Sequence, residues 1–157
     1  MGRDIHVRIL ARDKDVGGWK QVKLYKKVSG KFRYVDVYPG RNYELFDILT
    51  GCEDDNFPVG FITEKDLPPH LRQEVKKYKN ISGYYDFHET NLADIKLYLT
   101  QHSKVRDYDY EEDDSKAWKD NPVKYFIEQI ESYVTLADTF WGFVFNSDIR
   151  IIYWFDN

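Results

Sequence analysis

The sequence predicts a single α+β domain with a mostly antiparallel sheet, in which the N-terminal and C-terminal strands are adjacent and central and the helices pack on one face. Three observations support this prediction. Apolar and polar residues alternate near the start, a helical period dominates the middle, and an apolar strand-like segment ends the chain. No repeat or flexible linker divides residues 1–157, so one domain is expected.

Four strands are expected, at residues 3–11, 19–28, 32–38 and 148–156. The first has an apolar face and a polar face, and the polar face carries Asp4, His6 and Arg8. A hairpin loop is predicted at 29–31, between the second and third strands. The last strand is apolar on both faces, which predicts a central position beside the first strand.

Helices are expected in the middle of the chain, where Asn and Pro residues mark three of their starts. The first helix is expected at 41–50, and the second begins at Pro68-Pro69. The third follows Asn91, and the fourth begins at Asn121-Pro122. Residues 51–66 look irregular, and residues 80–90 are expected to form a loop or a short strand. The six acidic residues within 107–114 predict a solvated loop rather than a cation site, because like charges repel and no EF-hand spacing is present.

Composition narrows the class of protein. The formal net charge of −4 argues against a general nucleic-acid binder, although a local basic stripe remains open. Cys52 is the only cysteine, so no internal disulfide is expected, which suits a reducing compartment. Neither a signal peptide nor an apolar run of about 20 residues is visible, so a cytoplasmic protein without membrane contact is expected.

The first candidate site is the pair Asp4 and His6. Residues two apart on a strand share a face, so a carboxylate and an imidazole meet there. Three interpretations stay open: a polar network with Arg8 that closes one sheet face, a metal or acid–base role, and contact with a ligand. An Asp-x-His pair also opens the metallophosphoesterase pattern, but the other segments of that pattern are missing.

The C-terminal strand adds two candidates. If it pairs with the first strand in antiparallel register, Trp154 and Asp156 share the face of Asp4 and His6. Two carboxylates close together would raise the pKa of one of them. The alternative is that Asp156 is a terminal carboxylate in solvent.

Arg41, Asn42 and Tyr43 form a third candidate group, at a predicted strand-to-helix junction. A helix N-terminus attracts anions, and an arginine adds a bidentate donor for phosphate or carboxylate. The alternative is that Asn42 simply caps the helix. His88 falls in the 80–90 segment and is expected to be a surface residue.

Several segments resemble a family of small uncharacterised proteins of bacteriophages and bacteria. They are Met1-Gly2-x-Asp4-Ile5-His6, Gly40-Arg41-Asn42-Tyr43-x-Leu45-Phe46 and the terminal Phe155-Asp156-Asn157. Those proteins typically begin Met-Gly-Cys-Asp-Ile-His, whereas this chain has Arg3 in place of the cysteine. The resemblance implies a phage or mobile-element accessory protein and carries no activity with it.

Three functions follow as hypotheses. The favoured one is a binding module for a small anionic or nucleotide-like ligand or for a host protein, including one of host defence, with no cofactor. The second is a small hydrolase of phosphoesters that holds a divalent metal at Asp4, His6 and Asp156. The third is a purely structural or interaction role. Whether the protein is an enzyme is left open.

Overall fold

The computed structural model describes residues 4–12, 18–40, 42–52, 54–76, 87–107, 121–137 and 148–156. Within these ranges the strands are β1 (Asp4–Arg12), β2 (Trp19–Val22), β3 (Tyr25–Val28), β4 (Lys31–Tyr34), β5 (Gly60–Ile62), β6 (Phe87–Asn91) and β7 (Ile149–Asp156). The helices are α1 (Tyr43–Leu49), α2 (Pro69–Val75), α3 (Leu92–Asp107) and α4 (Pro122–Ala137), and a 3-10 turn covers Glu64–Asp66. The acidic segment predicted as a loop lies almost wholly outside the described residues.

The main sheet has five strands in the order β2-β1-β7-β6-β5, and every neighbouring pair is antiparallel. The C-terminal strand is therefore the middle one, and the N-terminal strand lies directly beside it, as predicted. The physical reason is the composition of β7, whose residues 151–155 are buried on both faces. A strand without a polar face needs cover on both sides, which a central strand receives.

The helices do not all pack on one face, which corrects part of the sequence prediction. Helices α1, α3 and α4 contribute to one large apolar cluster with Ile5, Val7 and Ile151, and we call this side of the sheet the helical face. Helix α2 lies on the other side, where its Leu71 and Val75 pack with residues that include Leu10, Ile152 and Trp154; we call this side the α2 face. The α2 face carries enough apolar area to need its own helix.

The strand predicted at 19–28 is interrupted at Leu24. The Leu24 N–H donates to the Tyr133 hydroxyl at 2.9 Å, and that hydroxyl donates to the Val35 carbonyl at 3.0 Å. These bonds hold Leu24 beside α4, and the chain continues into a separate two-stranded sheet of β3 and β4. The turn between β3 and β4 has positive φ at Ser29 (52°) and Gly30 (80°), as a two-residue type I′ hairpin turn requires.

Two short strands lie where the sequence predicts irregular structure or leaves the structure open. Strand β5 falls inside the segment read as irregular, and β6 pairs with both β5 and β7. The predicted cap at Asn91 is confirmed, because its side chain accepts a bond from the Asp94 N–H at 2.8 Å. The helix predicted to start at Asn121-Pro122 does so, and the Asn121 side chain accepts a bond from the Lys124 N–H at 3.2 Å. Among the described residues, no helix is long and apolar enough to cross a membrane.

Candidate ligand-binding cleft

The register of β1 and β7 brings the predicted terminal residues together. Asp4 lies opposite Asp156, and His6 lies opposite Trp154, so all four positions share the α2 face. Directly opposed residues of an antiparallel pair lie about 4.5–5.5 Å apart at their Cα atoms. The His6 and Trp154 rings stack with their centroids 5.4 Å apart. The sequence prediction of a shared face is thus confirmed.

Trp154 is a core residue rather than a surface for a ligand, because it is 0% exposed. Its ring packs against Phe87 at 5.8 Å and lies 5.1 Å from the Arg8 guanidinium carbon. Any contribution of Trp154 to binding therefore passes through the positions of His6 and Arg8. The His6 and Arg8 side chains both pack against the Trp154 ring.

Arg8 is the most buried charge that the structure describes on this face, at 3% exposure. Its Nε and Nη2 atoms lie 2.7 and 2.6 Å from Glu74 Oε1, on α2, and its Nη1 donates to the Val7 carbonyl at 3.0 Å. The guanidinium also lies 5.2 Å from the centre of the Tyr34 ring. A buried guanidinium requires such compensation, since desolvating an unpaired charge costs several kcal/mol.

Arg8 and Glu74 form the floor of a cavity of about 480 Å³, which we call the Arg8 cleft. Its walls come from β2, the β3–β4 hairpin and α2, and its lining residues are Arg8, Gln21, Lys23, Tyr25, Tyr34, Asp36, His70, Gln73 and Glu74. The volume lies within the ~300–1,000 Å³ typical of small-molecule sites. Asp4 and His6 do not line it, although Arg8 continues their face of β1.

Three polar atoms in the cleft lack a hydrogen-bond partner among the described residues. They are the amide N and O of Gln21 and the hydroxyl of Tyr34, and all three are covered by neighbouring atoms. Burial raises the pKa of the Tyr34 hydroxyl, and contacts with Tyr133 and Gln21 lower it by less, although neither contact has full hydrogen-bond geometry. Such atoms are uncommon in folded proteins and invite a partner.

Asn42 and Tyr43 do not join this cleft. Asn42 accepts a hydrogen bond from the Leu45 N–H at 3.1 Å and caps α1, so the capping interpretation is confirmed. Helix α1 packs on the helical face, whereas Asp4 and His6 lie on the α2 face. The sheet therefore separates α1, with Asn42 at its start, from Asp4 and His6. Tyr43 is 51% exposed, and Arg41 lies outside the described residues.

His88 is buried at 7% exposure, so the prediction of a surface histidine is wrong. Its ring stacks on Tyr153 with centroids 5.3 Å apart and planes 8° apart, and it meets Phe155 edge-on at 5.6 Å. Since His88 pairs with Tyr153 in the sheet, it belongs to the helical face. It therefore lies across the sheet from His6.

A second cavity of about 460 Å³ lies beside Arg12, Trp19 and Arg150. Its cations already have acidic partners: Arg150 contacts Glu89, and Arg12 lies 4.0 Å from Asp148. No group of three His, Cys, Asp or Glu side chains within the described ranges is placed to hold a metal ion. The Arg8 cleft is the stronger candidate, because it combines a buried charge with unpartnered polar atoms.

Comparison of the chain with family models, with curated proteins and with solved structures yields no match. The candidate site is therefore defined by its geometry alone. The sequence predicts that Arg8 shares the face of Asp4 and His6, but it does not identify Gln21, Tyr34 or Glu74 as site residues. The alternation of β1 was the only signal available for Arg8; nothing in the sequence linked it to a carboxylate on α2.

Proposed function

We propose that the protein is a binding module that takes a small anionic, nucleotide-like ligand in the Arg8 cleft. The observation that carries this proposal is the Gln21 amide, which lines a ligand-sized cavity and whose two polar atoms have no partner with hydrogen-bond geometry among the described residues. A buried amide without hydrogen bonds lowers stability by about 1–3 kcal/mol. A ligand that supplied those bonds would recover this free energy on binding.

The chemistry of the amide favours a nucleobase. A glutamine side chain offers one donor and one acceptor side by side, which is the pattern of a bidentate contact to the edge of adenine. The Gln21 amide is covered in this structure, so binding requires a rotation of the side chain that brings the amide into the cavity. Tyr25, which is 54% exposed at the wall of the cleft, offers a ring for stacking.

The rim of the cleft suits the rest of a nucleotide. Lys23 and His70 are exposed there and would interact with a phosphate group. Asp36, also exposed at the rim, would accept hydrogen bonds from ribose hydroxyls. Arg8 and Glu74 neutralise one another, so their role would be to keep the floor of the cleft rigid. The accessory role implied by the phage resemblance would then be the capture of a nucleotide signal.

Isothermal titration calorimetry with a panel of linear and cyclic mononucleotides tests the proposal. Wild-type protein should bind at least one of them, and Gln21→Met should weaken that binding by about tenfold or more, since a good bidentate contact contributes about 1–3 kcal/mol. Gln129→Met, a partly buried glutamine on α4, is the matched control and should leave affinity unchanged.

Thermal unfolding of the same variants separates binding from a purely structural role. Replacing an unpartnered buried amide by an apolar side chain of similar shape should leave stability equal or higher. A Gln21→Met protein that is clearly destabilised, with wild-type protein that binds no nucleotide, would refute the proposal and favour the structural role.

A metal-assisted hydrolase is the second candidate, and one observation favours it. Asp4 lies opposite Asp156, and His6 follows on the same face. Carboxylates and an imidazole are suitable ligands for a divalent metal, although only the strand register relates these three positions and the described side chains form no metal-ligating group of three. Elemental analysis after incubation with zinc, manganese or magnesium tests this candidate, with His6→Ala as the variant. Protein that retains no metal, or retains it equally in His6→Ala, would eliminate the proposed site.

A further inference from the structure

The segment from Trp19 to Tyr34 has a charge opposite to that of the rest of the chain. It contains five lysines and one arginine and no acidic residue. The remainder then has 17 basic against 27 acidic residues, a net charge of −10. So strong a separation within one small protein concentrates positive potential at one place, and it attracts a polyanion even when the net charge is negative.

The fold presents most of these cations on a hairpin that is solvated on both sides. Within the described part of the chain, strands β3 and β4 pair only with each other, and all residues from Tyr25 to Arg33 are exposed. Their register places Lys26 opposite Arg33 and Val28 opposite Lys31. One face of the hairpin therefore carries three cations within two cross-strand pairs. Like charges directly opposite each other destabilise a sheet, so the arrangement calls for an anionic partner.

The other face of the hairpin is aromatic. Tyr25 lies opposite Tyr34, with ring centroids 6.1 Å apart, and Phe32 lies opposite Lys27, whose Nζ is 6.0 Å from the Phe32 ring centre. Phe32 is 74% exposed, the highest value among the large apolar side chains described. Exposed rings next to lysines on a short sheet are the elements of a stacking platform for bases.

We propose that the β3–β4 hairpin binds single-stranded nucleic acid. Bases stack on Phe32 and Tyr25 of the aromatic face, beside Lys27, and the strand passes round the edge of the two-stranded hairpin, so that its phosphates reach Lys26, Lys31 and Arg33 on the opposite face. A single strand is favoured over a duplex because its unpaired bases are open to aromatic rings, whereas stacked pairs are not. The inference goes beyond the mononucleotide cleft and does not rest on it, because it is carried by the charge and the exposed rings of the hairpin.

Fluorescence anisotropy with labelled oligothymidine and oligouridine of about 12 nucleotides, within the range of known single-strand sites, tests the proposal. At low salt both probes or one of them should bind, and a preference for one identifies the natural chemistry as DNA or RNA. Phe32→Ala should weaken binding about fivefold or more, because stacking contributes about 1–3 kcal/mol per base. Phe32→Trp, which keeps a ring, should bind at least as well as wild type.

The charge contribution is tested with matched double variants. Lys31→Gln with Arg33→Gln should lower the slope of log affinity against log salt by about 1.4, at about 0.7 per phosphate contact on a single strand. Lys65→Gln with Lys76→Gln removes the same charge from exposed positions outside the hairpin and should leave the slope unchanged. An equal decrease of the slope in both double variants would mean that the net charge of the protein, and not the hairpin, causes the salt dependence of binding.

Three results would overturn the inference: no oligonucleotide binding at low salt, equal or tighter binding of the corresponding duplex, or unchanged affinity in Phe32→Ala. The cleft proposal is independent of these results, since it is read from mononucleotide calorimetry and Gln21→Met. A protein that binds mononucleotides but no oligonucleotide refutes only the hairpin inference. A protein that binds oligonucleotides through the hairpin but no mononucleotide refutes only the cleft.

Discussion

The two faces of the main sheet are built from different kinds of residue. On the helical face β1 and β7 contribute aliphatic and aromatic side chains to one apolar cluster, which helices α1, α3 and α4 cover. On the α2 face β1 contributes Asp4, His6 and Arg8, and the short helix α2 supplies both apolar cover and the carboxylate of Glu74. The comparison indicates that one face consists of apolar core, whereas the other also holds the polar groups of the candidate site.

The largest effect is expected on the helical face. Phe46 on α1 is 0% exposed and packs on Phe155 at 5.2 Å. Phe46→Ala should lower the free energy of unfolding by about 3–5 kcal/mol through lost burial and a residual cavity. Urea unfolding monitored by tryptophan fluorescence measures it. Tyr43→Ala, exposed on the same helix, is the control and should change stability by less than about 1 kcal/mol; similar losses would contradict the proposed division.

A smaller effect is expected from the ion pair on the α2 face. Glu74→Gln leaves the Arg8 charge without its carboxylate at 3% exposure. The free energy of unfolding should fall by about 2–3 kcal/mol. Breaking a fully buried pair costs about 3–5 kcal/mol, and the effect is smaller here because the Glu74 side chain is 25% exposed. The double variant Arg8→Met with Glu74→Leu should recover most of that loss in the same assay. A double variant less stable than Glu74→Gln would show that the pair contributes net stability.

Stability at alkaline pH tests the ionisation of Tyr153, a tyrosine of the helical face. Tyr153 is fully buried, its hydroxyl donates to the Leu49 carbonyl at 2.5 Å, and burial raises its pKa well above 10.0. A raised pKa in the folded state means that stability is complete below pH 10 and falls as the pH rises further, since only the unfolded chain ionises easily. Tyr153→Phe should cost about 1–2 kcal/mol at neutral pH from the lost hydrogen bond.

The pH dependence supplies the check on this prediction. Between pH 10 and 12 the wild-type protein should lose more stability per pH unit than Tyr153→Phe, so the gap between them should narrow. Urea unfolding at several pH values measures both slopes. Parallel curves for the two proteins would show that Tyr153 ionises equally in the folded and unfolded states.

The smallest effect is expected at the cap of α1. Asn42→Ala should lower stability by about 1 kcal/mol, because the Leu45 N–H loses its side-chain acceptor, whereas Asn42→Asp should keep it. Since α1 packs on the helical face, neither change should affect nucleotide binding to the Arg8 cleft. A loss of affinity in Asn42→Ala would instead support the anion-binding hypothesis for the Arg41-Asn42-Tyr43 group.

Local signals predicted a large part of this architecture. The caps at Asn42, Asn91 and Asn121 depend on side chains that bond to backbone groups three residues ahead. Because both partners are so close in the sequence, local sequence is enough to predict such caps. The shared face of Asp4 and His6 follows from the period of a strand. The break at Leu24 was not predictable in this way, because its partner, Tyr133, lies 109 residues further along the chain.

Alternation, capping residues and the apolar character of β7 determined on their own that the chain folds as an α+β protein with its terminal segments paired. Tertiary structure alone decided that α2 would cover the polar side of the sheet and that Glu74 would meet Arg8 there. Periodicity identifies which stripe of a helix is apolar, but it contains no information on which side of a sheet that stripe will pack. The side of the sheet that α2 covers depends on apolar area summed over strands far apart in the sequence. The Arg8 cleft exists because α2 packs on the polar side.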